Sequence, residues 1–393
     1  MRKFFSEIDW FLFFPYILLC GIGIVMVYSS SAGIGLMRGG MAKSYMIKQL
    51  IFVVISVISL LVMFRINFKL LRSRKFIVCF TLIMVSLLCY LKFKGATING
   101  AAGWISFGGV SLQPAELCKF FFITYFAYLF WKRQQKIVSN GLFKASISNV
   151  LPFFIPTVML TLILIQPDTG GFAINLFIII AMFAAASKST KSVFAWAILC
   201  FAGPCLLLWL FINPIANWAA NSHSYQLQRF VSFNNPFLHA QSSGQQLINS
   251  YYAISNGGIF GRGLGNSIQK MGYLAEPNTD FILPIISEEL GLIGVIVVLG
   301  LLFVMIVRII DIGFKTTNIY YSSICYGTAA YFVIQTLFNA GGAVGIVPLT
   351  GVALPFISYG GSSLLTLSLC LGMVLNISRI EKIKNQHKLK HSR

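Results

Sequence analysis

The chain has 393 residues, 57% hydrophobic and only 10% charged, with a mean hydropathy of +0.81. A soluble globular protein has about a quarter of its residues charged, so this chain has too few charges to cover a water-facing surface of its size. The net charge of +20 does not point to nucleic acid, because the basic residues flank apolar runs instead of interleaving with aromatics.

A bilayer core demands about 20 apolar residues per helical span. Such runs recur ten times, at 11–31, 46–64, 76–91, 113–131, 148–166, 171–187, 192–214, 282–307, 320–345 and 357–377. The expected fold class is an all-α polytopic integral membrane protein with ten transmembrane helices. Only QPDTGG separates the fifth run from the sixth, and a re-entrant pair is the alternative there. The first apolar run is too long for a signal-peptide core and lacks a cleavage site, so it reads as a span. All eight cysteines lie in apolar stretches without metal-ligand spacing and read as small core hydrophobes. One membrane domain, 1–378, and a basic tail, 379–393, are expected.

Basic residues set the orientation. With the N-terminus inside, the inner segments hold 21 Lys and Arg and the outer segments 8. That asymmetry places both termini in the cytoplasm and the long segment between the seventh and eighth spans, about 215–280, outside. The acids run the other way: Glu116, Asp168, Glu276, Asp280, Glu288 and Glu289 fall at or near the outer face. Carboxylates contribute little to topology, so this clustering needs another cause.

The outer segments carry the candidate chemistry. NGAAGWISFGGVSLQPAELCK places Trp104 before a span that opens with Glu116 and Lys119. Their i, i+3 spacing puts them on one helical face, where they either neutralise each other or leave Lys119 to meet an anionic head group. Trp104 doubles as a candidate interfacial anchor. QPDTGG puts Asp168 beside two glycines at a helix end. The long loop ends in EPNTDF, with Asp280 where the chain re-enters the bilayer, as a helix cap or as a partly desolvated general base. Glu288 and Glu289 lie two turns deeper, as interhelical partners or as substrate or metal contacts. The final outer segment, GIVPLTGVALPFISYGGSS, is too rich in Pro and Gly for a continuous helix, and irregular backbone at membrane depth belongs against protein or a water-filled cavity. No Walker motif, zinc pattern or nucleophile elbow is present, so any driving energy arrives with the substrate.

Four segments, in order, resemble the SEDS family (shape, elongation, division and sporulation proteins): NGAAGWISFGGVSLQPAELCK, QPDTGG, GNSIQKMGYLAEPNTDFILPIISEELG and VPLTGVALPFISYGGSSLL. The resemblance spans nearly the whole chain, and the GNSIQK–GYL–TDF stretch is closer to the cell-division type than to the elongation type. It implies a peptidoglycan glycosyltransferase of the bacterial cytoplasmic membrane, at the division septum, that polymerises lipid II at the outer face with inversion. Undecaprenyl pyrophosphate leaves. Asp280 falls on the family's catalytic aspartate. Trp104, Gln113, Glu116, Lys119, Asp168, Ser358 and Gly360 fall in the motifs that the resemblance assigns to substrate binding, with Lys119 toward pyrophosphate. The implied cofactor is a divalent cation, Mg or Mn, with Asp280, Glu288 and Glu289 as candidate ligands. The implied partners are a class B penicillin-binding protein (a transpeptidase), other divisome proteins and the undecaprenyl-pyrophosphate-linked glycan. One departure stands out: where the family often has Arg before the tryptophan, this chain has Gly103, so that charge contact is either absent or supplied elsewhere, by Lys92, Lys94, Arg229 or Arg262. Two other classes compete, a lipid flippase or transporter and a non-catalytic division scaffold.

Overall fold

The computed structural model describes residues 7–33, 41–94, 96–98, 101–107, 110–134, 151–186, 214, 225–242 and 244–391. Within them the chain forms α1 (Trp10–Ser30), α2 (Ala42–Arg65), a short α3 (Phe68–Leu71) and α4 (Arg74–Lys94). These are followed by three strands, β1 (Ala96–Ile98), β2 (Ala101–Phe107) and β3 (Val110–Leu112). Then come α5 (Pro114–Lys132), α6 (Leu151–Ile165), α7 (Thr169–Ala186), α8 (Tyr225–Asn234) and α9 (Gln245–Gly257). The chain finishes with α10 (Ile282–Lys315), α11 (Ile319–Ala343) and α12 (Gly361–His391).

Nine of the ten predicted runs coincide with helices; the seventh, 192–214, and the first part of the long loop lie outside the described residues apart from position 214. Six helices, α1, α2, α4, α7, α10 and α12, are long and apolar enough to cross a membrane. The chain is a polytopic membrane protein. α5 and α11 are less apolar, and the reason is their place. α5 is buried along most of its length and packs against α11, α7 and α12, so its neighbours are protein and polar groups such as Lys119 find partners there. α12 packs along α2, and α10 along α11, α9 and α1. α12 continues past the predicted tail boundary at 378 to His391.

Two findings depart from the sequence reading. The fold is not purely α: β1–β2–β3 form an antiparallel meander, with Ala96 opposite Trp104 and Ser106 opposite Ser111. Its glycine-rich sequence has no clean alternation to announce strands. The eighth predicted span is also not one continuous rod. α10 has 34 residues, about 50 Å of helix, and breaks at Gly291, whose φ is 70°. The backbone groups freed by the break bond to the loop after α9: Leu292 N–H to Gly258 O at 2.9 Å, Arg262 N–H to Glu288 O at 2.9 Å and Gly263 N–H to Glu289 O at 3.0 Å. A Cβ on Gly291 would lie 2.3 Å from Ile259 O, so the junction closes only around glycine.

Candidate functional site

At one end of the bundle, four helices begin around a single cavity of about 300 Å³. The residues just before each start line it: Gln113 before α5, Asp168 before α7, Asp280 before α10 and Gly360 before α12. Helix N-termini carry partial positive charge and unpaired N–H groups, so this convergence favours negatively charged groups. Trp104 of β2 lines the cavity from the meander, Tyr45 and Phe52 from α2, and Arg229 from α8. The segment 350–363, broken by Pro355 and the Gly360–Gly361 pair, supplies another wall, as its Gly/Pro content led one to expect.

Asp280 is partly buried and its backbone is fixed from three sides. Asn339 Nδ2 donates to Asp280 O at 2.9 Å, Ser358 Oγ donates to Thr279 O at 2.6 Å, and Tyr359 N–H donates to Asn278 O at 2.8 Å. Burial pushes the Asp280 carboxyl up to about 6; Arg229 opposes that rise, nearby Glu276 adds to it, and a hydrogen bond with Thr279 pulls it back. Arg229 and Asp280 flank Gly351: a Cβ there would lie 3.1 Å from an Arg229 nitrogen and 3.2 Å from Asp280 Oδ2. A carboxylate shifted toward neutrality, beside a guanidinium and facing open space, suits accepting a proton from a bound hydroxyl.

Asp168 caps α7, its Oδ1 accepting the Gly171 N–H at 2.7 Å, and its Oδ2 accepts Gln113 Nε2 at 2.9 Å. Its carboxyl is also raised, by burial first, with the Gly171 bond pulling it back. Gln113 N–H donates to Ser362 Oγ at 2.9 Å, which joins α5 to α12 under the cavity.

The structure brings together Asp280, Trp104, Gln113, Glu116, Asp168 and Gly360, and leaves the other predicted site residues elsewhere. Lys119 is fully buried behind Glu116, 2.5 Å from its Oε1, and lies 4.9 Å from the Tyr331 ring centre. The helical pairing anticipated from their spacing is present, and Lys119 does not line the cavity. Ser358 is buried, donating to Thr279 O and accepting the Leu354 N–H at 2.8 Å; it holds the loop and does not face the space. Glu288 and Glu289 are fully buried and turned away. Glu289 pairs with Lys270 at 2.6 Å, and Glu288 accepts from Ser267 Oγ, the Gln269 N–H and Asn256 Nδ2. With their oxygens so engaged, Glu288 and Glu289 do not join Asp280 in one cation site, and among the described residues no group of three or more His, Cys, Asp or Glu is placed to hold a metal.

Sequence reasoning missed Tyr45 and Phe52, because nothing in an apolar run marks which helix end borders a cavity. Of the charges considered to make up for the absence of arginine at Gly103, Arg229 lines the cavity.

A helical membrane protein with a polar cavity gathered at one end, where helix starts, carboxylates and Arg229 meet, has the features of a membrane-bound enzyme. The family model for cell cycle proteins of the FtsW, RodA and SpoVE type matches residues 9–383, and the chain belongs to that family. It is 39% identical to a probable peptidoglycan glycosyltransferase FtsW of Lactococcus lactis, over 94% of this chain and 91% of that one. It is 37% identical to the Bacillus subtilis protein of the same name, covering 99% and 95%. Among solved structures, a peptidoglycan synthase complex aligns with a TM-score of 0.68 at 22% identity, over 95% of this chain and 98% of that one. The RodA rod-shape-determining protein of Thermus thermophilus aligns at 0.63 and 22%, covering 95% and 97%. At these identities the structural likeness speaks to the fold.

Proposed function

We propose that the chain is a peptidoglycan glycosyltransferase that polymerises lipid II at the outer face of the bacterial cytoplasmic membrane during septal wall synthesis, with Asp280 as general base. In this reading the chain crosses the membrane ten times with both termini cytoplasmic, and residues 1–378 form one membrane domain ahead of the basic tail. Asp280 takes the proton from the acceptor sugar hydroxyl as that oxygen attacks the anomeric carbon of a second lipid-linked disaccharide. The bond to pyrophosphate breaks, its electrons leaving with undecaprenyl pyrophosphate, and the anomeric centre inverts. Arg229 and the converging helix starts stabilise negative charge developing on the departing pyrophosphate. Glu116 and Asp168 line the same cavity with Trp104, whose flat apolar face suits a sugar ring.

The observation that carries this reading is Asp280 itself: a half-buried carboxylate at a helix start, beside Arg229, in the cavity where the family motifs converge. The relatives' shared name, peptidoglycan glycosyltransferase FtsW, supports the reaction class and the division role. A class B penicillin-binding protein is the proposed transpeptidase partner, with other divisome proteins beyond it. The test supplies purified protein, with and without that partner, with labelled lipid II. Glycan chains from wild type and none from Asp280→Asn support the assignment; equal polymer from both refutes the base. Scrambling of lipid II across vesicles without polymer favours a flippase.

A further inference from the structure

The long loop contains a buried lysine that the mechanism above does not use. Lys270 is 1% exposed, and its Nζ lies 2.6 Å from Glu289 Oε1 and 3.0 Å from Ser29 Oγ. Ser29 Oγ in turn sits 2.7 and 2.8 Å from the two Glu289 oxygens. Three pieces of chain meet there: the end of α1, the loop, and the half of α10 before the Gly291 break. The ion pair closes the chain between Lys270 and Glu289 into a ring, and Asp280 lies at its middle. Inside the ring, Asn278 Nδ2 donates to Ser31 Oγ at 3.1 Å, a second tie to α1. Glu288 reinforces the same closure through Ser267, Gln269 and Asn256.

A buried ion pair is a poor way to gain stability, since an apolar pair of equal volume often holds a fold as well or better. What a lysine–carboxylate–hydroxyl cluster adds is direction: it is satisfied in one geometry only. We propose that Lys270 and Glu289, with Ser29, are positioning residues for Asp280, fixing the ring so that the carboxylate meets the acceptor hydroxyl. This rests on the reading of Asp280 as the base. The cluster touches no substrate, and none of its members lines the cavity.

The experiment measures kcat, KM and the thermal transition of purified full-length protein on labelled lipid II for Lys270→Met, Glu289→Gln, the double variant Lys270→Met/Glu289→Met, and Ser29→Ala. The single variants strand a buried charge or strip its partner, so both transition and kcat fall. The double variant removes both charges, recovers the wild-type transition, and keeps kcat between about tenfold and about a hundredfold down at unchanged KM, because placement is lost while binding is not. A double variant with wild-type kcat overturns the proposal and makes the pair a fold element only. Should the double variant not recover its transition, Ser29→Ala decides, since it keeps both charges and loosens only their geometry. A lower kcat at a wild-type transition then supports the proposal, and a wild-type kcat overturns it. Asp280→Asn in the same assay separates the two readings. If it polymerises like wild type, the assignment of the base has failed; if it is inactive while the Lys270 variants keep full kcat, only the positioning role has failed.

Discussion

At the end of α10 away from the cavity, Asp9 is buried and takes Arg308 at 2.8 Å and Ser378 Oγ at 2.9 Å. Arg308 also meets Asp311, which meets Lys315 at 2.8 Å. Glu7 lies 3.5 Å from Arg65 and 4.0 Å from Arg379. At the cavity end, four carboxylates, Glu116, Asp168, Glu276 and Asp280, line the same space as Arg229. One end has matched its charges to each other; the other gathers an excess of acids around an opening. Groups that pair internally hold the bundle, whereas carboxylates gathered around an opening are kept for chemistry, and burial, with a smaller contribution from neighbouring acids, raises the carboxyls of Asp168 and Asp280.

The sharpest way to break that contrast is Asp280→Asn. It keeps size and most hydrogen bonding and removes the base, so polymerisation falls by about a hundredfold to ten-thousandfold. The thermal transition stays put. A labelled lipid II assay alongside a melting curve reads both; a large loss of stability with little loss of rate would place Asp280 with the structural charges instead.

Arg229→Gln comes next, with polymerisation down roughly tenfold, mostly through kcat, because the guanidinium meets charge that develops only as pyrophosphate departs. The pH profile sharpens this. A general base works when ionised, so the wild-type rate climbs as pH rises through about 6 and levels off above. Arg229 favours the carboxylate; without it the rising limb moves to higher pH. A limb that stays in place would show that Arg229 and Asp280 do not sense each other.

Arg308→Met tests the other end. It leaves Asp9 buried with Ser378 as its remaining side-chain partner among the described residues, and costs about 1–3 kcal/mol, discounted from a fully buried pair because Arg308 is 28% exposed. The lowered transition should come with unchanged kcat and KM for the fraction still folded.

Much of this contrast was legible before any coordinates, though not evenly. The spans are visible because a bilayer imposes one length and one composition on every crossing helix, and the cluster of outer acids is visible because carboxylates are so scarce here. Asp280 and Asp168 follow from motifs at helix starts, and Trp104 from the glycine-rich motif that precedes α5. Long-range partners are not legible. Nothing at Lys270 announces that it is buried against Ser29, 241 residues away, and by charge counting it is simply one more outer lysine. Lys119 shows the same limit in milder form. The i, i+3 spacing states that it can reach Glu116, but only the packing of α11, which brings Tyr331 Oη to Glu116 Oε2 at 3.2 Å and Gln335 to Lys119, shows that Lys119 is sealed inside behind Glu116. The Gly291 break is hidden for a related reason, because glycine in an apolar helix is common and its φ is set by the loop that packs on it.

The smallest expected effect concerns Gly103, where the sequence resemblance leads one to expect arginine. It is buried in β2, and among the described residues a Cβ there would meet Gln113 Nε2 first, at 3.8 Å, an ordinary contact. The backbone thus has room for a first side-chain carbon at 103, and a melting curve of Gly103→Arg checks that the whole arginine is accommodated. A second guanidinium near Gln113 and Asp168 would offset part of the acid excess and lower KM by a few-fold, about 1 kcal/mol or less at a partly solvated site. Its effect should be larger in the Arg229→Gln background than in wild type, since the two cations would then serve the same negative charge from different walls. Equal effects in both backgrounds would mean that positions 103 and 229 answer to separate parts of the substrate, and that the cavity's charge is not shared.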